Sequence, residues 1–318
     1  MKLLLASFLL LTLNAANAQS WPQQPVRVIV PAPAGSSLDI IVRTLGEKLK
    51  ERWKQPLIVE NKAGAGGMLG MDVVAKAAPD GHTLGIGFNG PVAFAPYLYK
   101  KMPYDPAKHL VPIILTTSQP NVLAVNASVP AQTFGEFVAW ARQQGNKVSY
   151  GSLGNGSSSH LTMELLKSVA GFEAVHVPYA GSPPAGQSLA AGDTQALFSV
   201  APALLPLVQG GRIRLLAITS ARRLDAMKDL PTLAESGYPG FEALAWNGLF
   251  APAGTTLEVL ERINADVNAV LSEPTVRESF AKQGLLIGGG SAAEFKAFID
   301  LEARKWGAII DKVGIKLD

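Results

Sequence analysis

The alternation of strand-like and helix-like segments constrains the fold of this chain more than any other feature. In a first block, three strands rich in apolar and β-branched residues, at residues 26–30, 57–60 and 83–88, alternate with two helices, at residues 39–53 and 71–78. In the first helix, apolar residues recur three and four positions apart, which is the spacing of one helix face. A β-α-β-α-β order predicts a parallel sheet with helices on both of its faces.

The same alternation starts again after residue 121. The second block has strands at residues 122–125, 148–150, 175–177, 196–200 and 214–219, and helices at residues 134–143, 160–169 and 184–191. An extended run at residues 241–250 and helices at residues 257–271, 275–283 and 293–313 complete the chain. Two α/β blocks in a chain of this length indicate two domains rather than one sheet.

No Gly/Ser-rich or Pro-rich linker separates the two blocks, so we expect the chain to cross between them more than once. The predicted crossings lie near residues 121–126 and 243–250. Lobe 1 is then formed by residues 19–122 with 248–318, and lobe 2 by residues 123–247. The prediction is an α/β fold of two lobes, each a largely parallel sheet flanked by helices, with a cleft between them.

The first 18 residues have the order of a secretory signal peptide. Lys2 supplies a positive charge, an apolar run covers residues 3–13, and Ala16-Asn17-Ala18 provides small residues at the cleavage positions. The apolar run is shorter than the ~20 residues that span a bilayer, although an N-terminal membrane anchor is the alternative. We predict cleavage after Ala18, which leaves 300 of the 318 residues, and export to the periplasm.

Composition excludes several kinds of chemistry. The sequence has no Cys, so disulfides, thiolate metal sites and a Cys nucleophile are ruled out. Its formal net charge is +3, and the Lys and Arg residues are scattered rather than clustered, which argues against nucleic-acid binding. The four His residues, His82, His109, His160 and His176, are not spaced as metal ligands. We expect neither a metal nor a cofactor.

Two loops in the sequence match each other. Residues 31–37 follow the first strand, residues 151–159 follow a strand of the second block, and both carry Gly and Ser before a predicted helix. Ligands of open α/β sheets bind beyond the carboxyl ends of the strands, and a helix N-terminus favours an anion. The candidate contacts are Ala34, Gly35 and Ser36 in the first loop, and Ser152, Asn155, Gly156, Ser157 and Ser158 in the second. The alternative is that these Ser residues only cap helices, with Asp39 completing a capping box.

Neither loop contains Arg or Lys, so the predicted anion would be held by neutral donors and bridging water, which suits carboxylates better than phosphate. Asn89, which follows the third strand at the same edge, is included among the candidates. The glycines of residues 64–70 resemble a dinucleotide-binding fingerprint with the wrong spacing, and no acidic residue ends the next strand. We therefore interpret this segment as a tight turn.

Motifs of common enzyme classes are missing from the sequence. It has no G-x-S-x-G, Walker A or H-E-x-x-H motif, and its S-x-x-K match at residues 279–282 lies inside a predicted helix. His160 directly follows the Ser run and is the one candidate base there. The prediction is a binding protein rather than an enzyme, with a Ser-dependent cleft hydrolase as an alternative.

Six segments in order resemble the substrate-binding receptors of tripartite tricarboxylate transporters, of the Bordetella uptake gene type, over the whole mature chain. They are Val30-Pro31 with Gly35 and Asp39; residues 59–67 (VENKAGAGG); residues 79–84 (PDGHTL); Tyr150-Gly151-Ser152 with Gly154-Asn155-Gly156 and His160-Leu161; His176-Val177-Pro178-Tyr179 with Gly181 and Pro184-Ala185; and residues 246–255 (WNGLFAPAGT). Any one segment is weak, but all six in order are specific.

The resemblance implies a two-lobed Venus flytrap fold of the periplasmic-binding-protein type. It implies a small carboxylate bound in the cleft by backbone amides, hydroxyls and water, and delivered to membrane permease subunits. Matching positions include a further cleft loop at Tyr179, Ala180 and Gly181. Many members carry an aromatic residue at or near Ala32, so ligand size stays open here. We expect a monomeric transport receptor; a ligand sensor docking a signalling partner is the alternative.

Overall fold

The computed structural model describes residues 21–317, so the predicted signal peptide lies outside the described residues. The strands are β1 (Val26–Val30), β2 (Leu57–Asn61), β3 (Thr83–Phe88), β4 (Leu110–Pro120), β5 (Val122–Asn126), β6 (Ser149–Ser152), β7 (Val175–Pro178), β8 (Ala196–Ser199), β9 (Ile213–Ile218), β10 (Leu244–Pro252) and β11 (Leu286–Gly289).

The helices are α1 (Ser37–Trp53), α2 (Met68–Ala75), α3 (Ala95–Leu98), α4 (Pro106–His109), α5 (Phe134–Gln144), α6 (Ser158–Ala170), α7 (Ser182–Ala191), α8 (Ala201–Gln209), α9 (Leu257–Leu271), α10 (Pro274–Lys282) and α11 (Ala292–Val313). A π-helical turn (Gly90–Phe94) precedes α3. Short 3₁₀ turns lie at Ala65–Gly67, Gly145–Lys147 and Asp225–Met227.

The strands form two sheets in the described part of the chain, which confirms the predicted two-lobed α/β fold. The first sheet has the order β11-β4-β10-β3-β1-β2, and the second has the order β7-β6-β8-β5-β9. In the first sheet β1 pairs in parallel with β2 and β3, and in the second β6 pairs in parallel with β7 and β8. These are the β-α-β units that the sequence pattern predicts.

The other half of each sheet is antiparallel, so the sheets are mixed rather than largely parallel. Strand β10 runs antiparallel to β3 and β4, β11 runs antiparallel to β4, and β5 runs antiparallel to β8 and β9. The parallel strands joined by helices end at the cleft edge of their sheet. Strands β5 and β10 enter their sheets from the other lobe and so begin at that edge. They therefore run antiparallel to the strands that end at the cleft edge.

The chain passes between the sheets at two places. Strands β4 and β5 lie in different sheets and are separated by Asn121 alone, and the return follows β9. Leu244 pairs with Pro120, so residues 244–247, assigned to lobe 2 by the predicted division, pair in the first sheet. The predicted boundaries of the lobes otherwise stay a prediction.

Local sequence explains the element boundaries that differ from prediction. Helix α1 begins two residues early because Ser36 caps it, and it ends where Lys54 adopts a left-handed conformation. The predicted helix at residues 71–78 lies at Met68–Ala75. Strand β4 was not predicted, because the polar run Thr116–Gln119 hides it, and α8 was not predicted, because it contains Pro206. Among the described helices, none is long and apolar enough to cross a membrane.

An aromatic cluster packs under the crossing strand β10. Trp246 and Phe250 of β10 contact Phe295 of α11, with ring centroids 5.8 and 5.3 Å apart, and Phe94 contacts Trp306 at 5.1 Å. Trp246, Trp306 and Phe295 are almost completely buried. Helix α11 is thereby fixed against the strand that returns from the second lobe.

Candidate functional site

A cavity of about 320 Å³ lies between the two sheets, at the edge where their parallel strands end. Loops that follow β1, β2, β3, β6, β7 and β8 contribute to it, together with the crossing strands β4 and β10. The lining consists of Pro31, Ala32, Ser36, Ser37, Leu38, residues 64–67, Phe88, Asn89, Tyr99, Gln119, Asn121, Leu153, Gly154, Asn155, residues 157–159, residues 178–182, Val200 and residues 245–247.

Most of the predicted contact residues come together in this cavity. Those that line it are Ser36, Asn89, Asn155, Ser157, Ser158, Tyr179, Ala180 and Gly181. Four others do not line it. Ala34 and Gly35 lie on the exposed outer turn of their loop. Ser152 is buried with its hydroxyl 2.6 Å from His176 Nε2, and the amide of Gly156 donates to His160 Nδ1 at 3.2 Å.

The loop of the first lobe is held by the start of α1. The hydroxyl of Ser36 accepts a hydrogen bond from the amide of Asp39 at 3.3 Å. The Asp39 carboxylate accepts from the amide of Gly35, from Arg43 and from Asn61. Burial alone would raise the pKa of Asp39, but these hydrogen bonds outweigh burial and lower it. Asp39 is therefore a charged structural support, and its bond from Gly35 replaces the reciprocal bond of the predicted capping box.

The loop of the second lobe is held by α6 and by Asn121. Ser157 caps α6 by accepting from the amide of His160 at 3.3 Å. Ser158 Oγ accepts from Asn121 Nδ2 at 2.8 Å, and the same Nδ2 lies 3.2 Å from the carbonyl oxygen of Ala243. Because a carbonyl oxygen only accepts, this contact identifies the amide nitrogen of Asn121. Ser158 must therefore be the acceptor in its bond with Asn121.

These bonds determine the polarity that the cavity presents. Ser36, Ser157 and Ser158 each accept a hydrogen bond from the protein, so each hydroxyl keeps its own proton to donate. Ser159, beside them, instead donates to the carbonyl oxygen of Phe198. The N-termini of α1 and α6 add their positive dipole ends at the same place. The three free hydroxyl protons favour a ligand that accepts hydrogen bonds.

Charged groups are missing from the lining. Among residues 21–317, no Asp, Glu, Lys, Arg or His lines the cavity. Ser36, Ser157 and Ser158 are nearly inaccessible to solvent, and hydrogen bonds in such a low-dielectric site are stronger than in water. The site can therefore hold an anion through neutral donors, as its loops predict, and no carboxylate of the described residues lines it to form an ion pair with a ligand ammonium.

Sequence reasoning missed the polar residues that the crossing strands supply. Asn247 Nδ2 lies 2.6 Å from the hydroxyl of Thr117, which in turn lies 3.4 Å from Gln119 Oε1. This leaves the amide nitrogen of Gln119 as a donor at the cavity. Strand β4 carries no recognisable pattern, and Asn247 had one signal, its place in the motif of residues 246–255. Phe88, Tyr99 and Trp246 add an apolar wall.

The lobes contact each other at glycines beside the cavity. A Cβ on Gly66, where φ is +61°, would overlap the carbonyl oxygen of Asn155 in the other lobe. A Cβ on Gly181 would lie 2.5 Å from Pro33 Cδ. The absence of side chains at these two positions lets Gly66 approach the backbone of Asn155 and Gly181 approach the ring of Pro33. The two lobes are therefore in direct contact beside the cavity.

Two histidines stack behind the loop of the second lobe. The ring centroids of His160 and His176 are 3.9 Å apart. Burial lowers the pKa of His160 to about 4 and that of His176 to about 3, and their neighbouring positive charges act in the same direction. The Ser152–His176 pair resembles a nucleophile with its base, but Ser152 is completely buried and does not line the cavity. This geometry does not favour the hydrolase alternative.

We expect these histidines to make the protein sensitive to acid. Both remain neutral in the folded state at pH values where the unfolded chain, with an ordinary pKa near 6.5, takes up protons. The unfolded state therefore binds more protons below pH ~6.5, and the free energy of unfolding falls as the pH drops from 7 towards 4. Urea unfolding at several pH values measures this loss. In His176→Gln the free energy of unfolding should fall less over the same pH range. An identical pH profile in that variant would contradict a role of His176 in this acid sensitivity.

The sequence matches a known protein family and a relative over most of its length. The family described as "Tripartite tricarboxylate transporter family receptor" matches residues 41–315. A protein encoded in the tcbD–tcbE intergenic region of Pseudomonas sp. strain P51 is 36% identical over 306 residues, which are 95% of this chain and 91% of that protein.

Two solved structures have the same fold. "R. palustris Rpa4515 with adipate" is 34% identical with a TM-score of 0.91, and the match covers 93% of this chain and 99% of that one. "MatC (Rpa3494) from Rhodopseudomonas palustris with bound malate" is 30% identical with a TM-score of 0.86, covering 91% and 100%. Together with the family match over most of the described residues, these likenesses show that the chain belongs to the tripartite tricarboxylate transporter receptor family.

Proposed function

We propose that this chain is a periplasmic receptor that binds a small carboxylate in the interlobe cavity and delivers it to membrane permease subunits. The observation that carries the proposal is the polarity of the cavity. Ser36, Ser157 and Ser158 line it at two helix N-termini with hydroxyl protons left to donate, and no Asp, Glu, Lys, Arg or His of the described chain lines it. A carboxylate accepts up to four hydrogen bonds and suits such neutral donors.

The related structures support the same class of ligand. One is described with adipate and the other with malate, and both compounds are small dicarboxylates. A cavity of about 320 Å³ is large enough for a molecule of this size. The family description, a receptor of a tripartite transporter, supports delivery to a permease rather than turnover of the ligand.

Ser158→Ala tests the proposal. The variant removes one hydroxyl that donates to the ligand, and a hydrogen bond to a charged group contributes about 1.5–3 kcal/mol. We expect the affinity for the carboxylate that binds tightest, with adipate and malate tried first, to fall roughly 10- to 150-fold. Isothermal titration calorimetry measures the change. Asn121 keeps Thr162 and the Ala243 carbonyl as acceptors, so the fold should tolerate the substitution.

Ser159→Ala is the matched control. Ser159 is the next residue on α6, but its proton already goes to the Phe198 carbonyl, so its removal should change the affinity by less than about threefold. A protein that binds no small carboxylate would refute the proposed function. Equal affinities of wild type and Ser158→Ala would refute the role of this hydroxyl.

A further inference from the structure

Ser182 is a buried residue of the cavity lining, and its hydroxyl has no hydrogen-bond partner among the described residues. Ser182 is 2% exposed and is the first residue of α7. Gly181, not Ser182, occupies the N-cap position of that helix, so the hydroxyl does not act as the cap. A buried hydroxyl without a partner destabilises a protein unless some other molecule supplies the hydrogen bond.

At the N-terminus of α7, the neighbouring sequence leaves Ser182 as the residue that supplies hydrogen-bond donors. Pro183 and Pro184 follow it and have no backbone N–H. In the first three positions of α7, the donors are therefore the amide and the hydroxyl of Ser182. Gly181 packs against Pro33 of the first lobe, which places Ser182 where the two lobes meet at the cavity.

Ser182 differs from the three hydroxyls that hold the proposed carboxylate. Ser36, Ser157 and Ser158 each accept a hydrogen bond from the protein and are oriented by it. The hydroxyl of Ser182 is not oriented by any described group, so it can donate or accept. It therefore suits an additional oxygen-bearing group on the ligand.

We propose that Ser182 is a specificity-determining residue that hydrogen-bonds a second oxygen-bearing group of the ligand and so favours bifunctional carboxylates over simple monocarboxylates. This inference rests on the proposed function, because it assumes that a carboxylate occupies the cavity. It adds a residue that contacts the end of the ligand not held by Ser157 and Ser158.

The test uses two pairs of probes that differ by one carboxylate, adipate against hexanoate and succinate against butyrate. Calorimetry gives the preference for the dicarboxylate in each pair for wild type and for Ser182→Ala. We expect the variant to lose roughly 10-fold or more in affinity for the preferred dicarboxylate, and less than about twofold for its monocarboxylate partner, since one hydrogen bond to a charged group is lost. The wild-type preference should largely disappear.

A second measurement separates a ligand contact from a structural role. Without ligand, the thermal midpoint of Ser182→Ala should equal or exceed that of wild type, because the variant removes an unpartnered buried group. Ser199→Ala is the control. Ser199 is also buried and has no hydrogen-bond partner within residues 21–317, but it does not line the cavity, so the probe preference of this variant should match wild type.

The possible failures are distinguishable. If carboxylates bind and Ser182→Ala keeps the wild-type preference, the Ser182 inference is overturned and the proposed function stands. A lower thermal midpoint of the ligand-free variant would also overturn it, because the hydroxyl would then have a partner within the protein. If wild type binds none of the four probes and no other small carboxylate, the proposed function fails and takes this inference with it.

Discussion

Gly66→Ala should prevent the lobes from closing and reduce ligand affinity by roughly 100-fold or more, which corresponds to about 2.7 kcal/mol. The new Cβ would overlap the carbonyl oxygen of Asn155, a backbone atom of the opposite lobe that cannot rotate away. That Cβ would lie 2.2 Å from the oxygen, so the two lobes would have to separate by roughly 1 Å at this contact. The ligand would then lose bonds made from both sides. Affinity falls because the ligand stabilises the state in which it makes these bonds.

The matched control is Gly171→Ala. Gly171 has nearly the same φ as Gly66, +62° against +61°, but a Cβ there meets nothing within 4 Å. Both variants therefore carry a similar backbone strain, and only Gly66→Ala has a clash between lobes. Small-angle scattering with saturating ligand should show compaction for wild type and Gly171→Ala but not for Gly66→Ala. Equal affinity and equal compaction in the two variants would refute closure through this contact.

Trp246→Ala should lower the free energy of unfolding by about 3–5 kcal/mol, the usual loss for a large buried aromatic residue. Trp246 is completely buried, lines the cavity, and contacts Phe295 and Phe298 edge-on at 5.8 and 5.6 Å. Its removal leaves a void between β10 and α11 that the rigid strand cannot fill. Urea unfolding followed by circular dichroism measures the loss.

Trp140→Ala serves as the control, because Trp140 is half-buried on the surface of α5 beside Phe137. Trp140→Ala should lower the free energy of unfolding by less than half as much as Trp246→Ala. Trp246→Phe should retain most of the stability but lose most of any ligand-linked fluorescence change, since Trp246 lies at the crossing between lobes. A loss below about 1 kcal/mol in Trp246→Ala would contradict its place in the core.

The regular parts of the fold could be predicted from the sequence, including the extended run that contains most of β10, but strand β4 could not. Segments such as Val26–Val30 and Ser37–Trp53 have apolar residues at the period of their own secondary structure, so the β-α-β units were recognisable. Strand β4 is buried between two neighbours in the sheet while carrying Thr116, Thr117 and Gln119. Thr116 and Thr117 form hydrogen bonds with Asn247 of β10, about 130 residues away, and no local pattern in the sequence indicates such a pairing.

The candidate site also contains residues that could be predicted from the sequence and residues that could not. Ser36, Ser157 and Ser158 were predictable because helix N-termini after parallel strands have local signals in Gly and Ser. The contributions of Gln119 and Asn121 were not predictable, because the orientation of each side-chain amide depends on residues that are distant in the sequence. Ser152 and Gly156 share the loop of Ser157 but bond to the stacked histidines behind it, and their sequence positions do not distinguish them from the residues that face the cavity.

The neutral lining of the cavity has a consequence for how the receptor works in changing surroundings. Dissolved salt screens interactions between exposed charges over about 8–10 Å, and it has much less effect on short hydrogen bonds inside a closed site. A receptor that held its ligand through surface Arg and Lys would bind more weakly whenever the ionic strength outside the cell rose. In the proposed site, hydroxyl protons and helix N-termini take the place of those charges, so we expect the affinity for the ligand to depend only weakly on ionic strength.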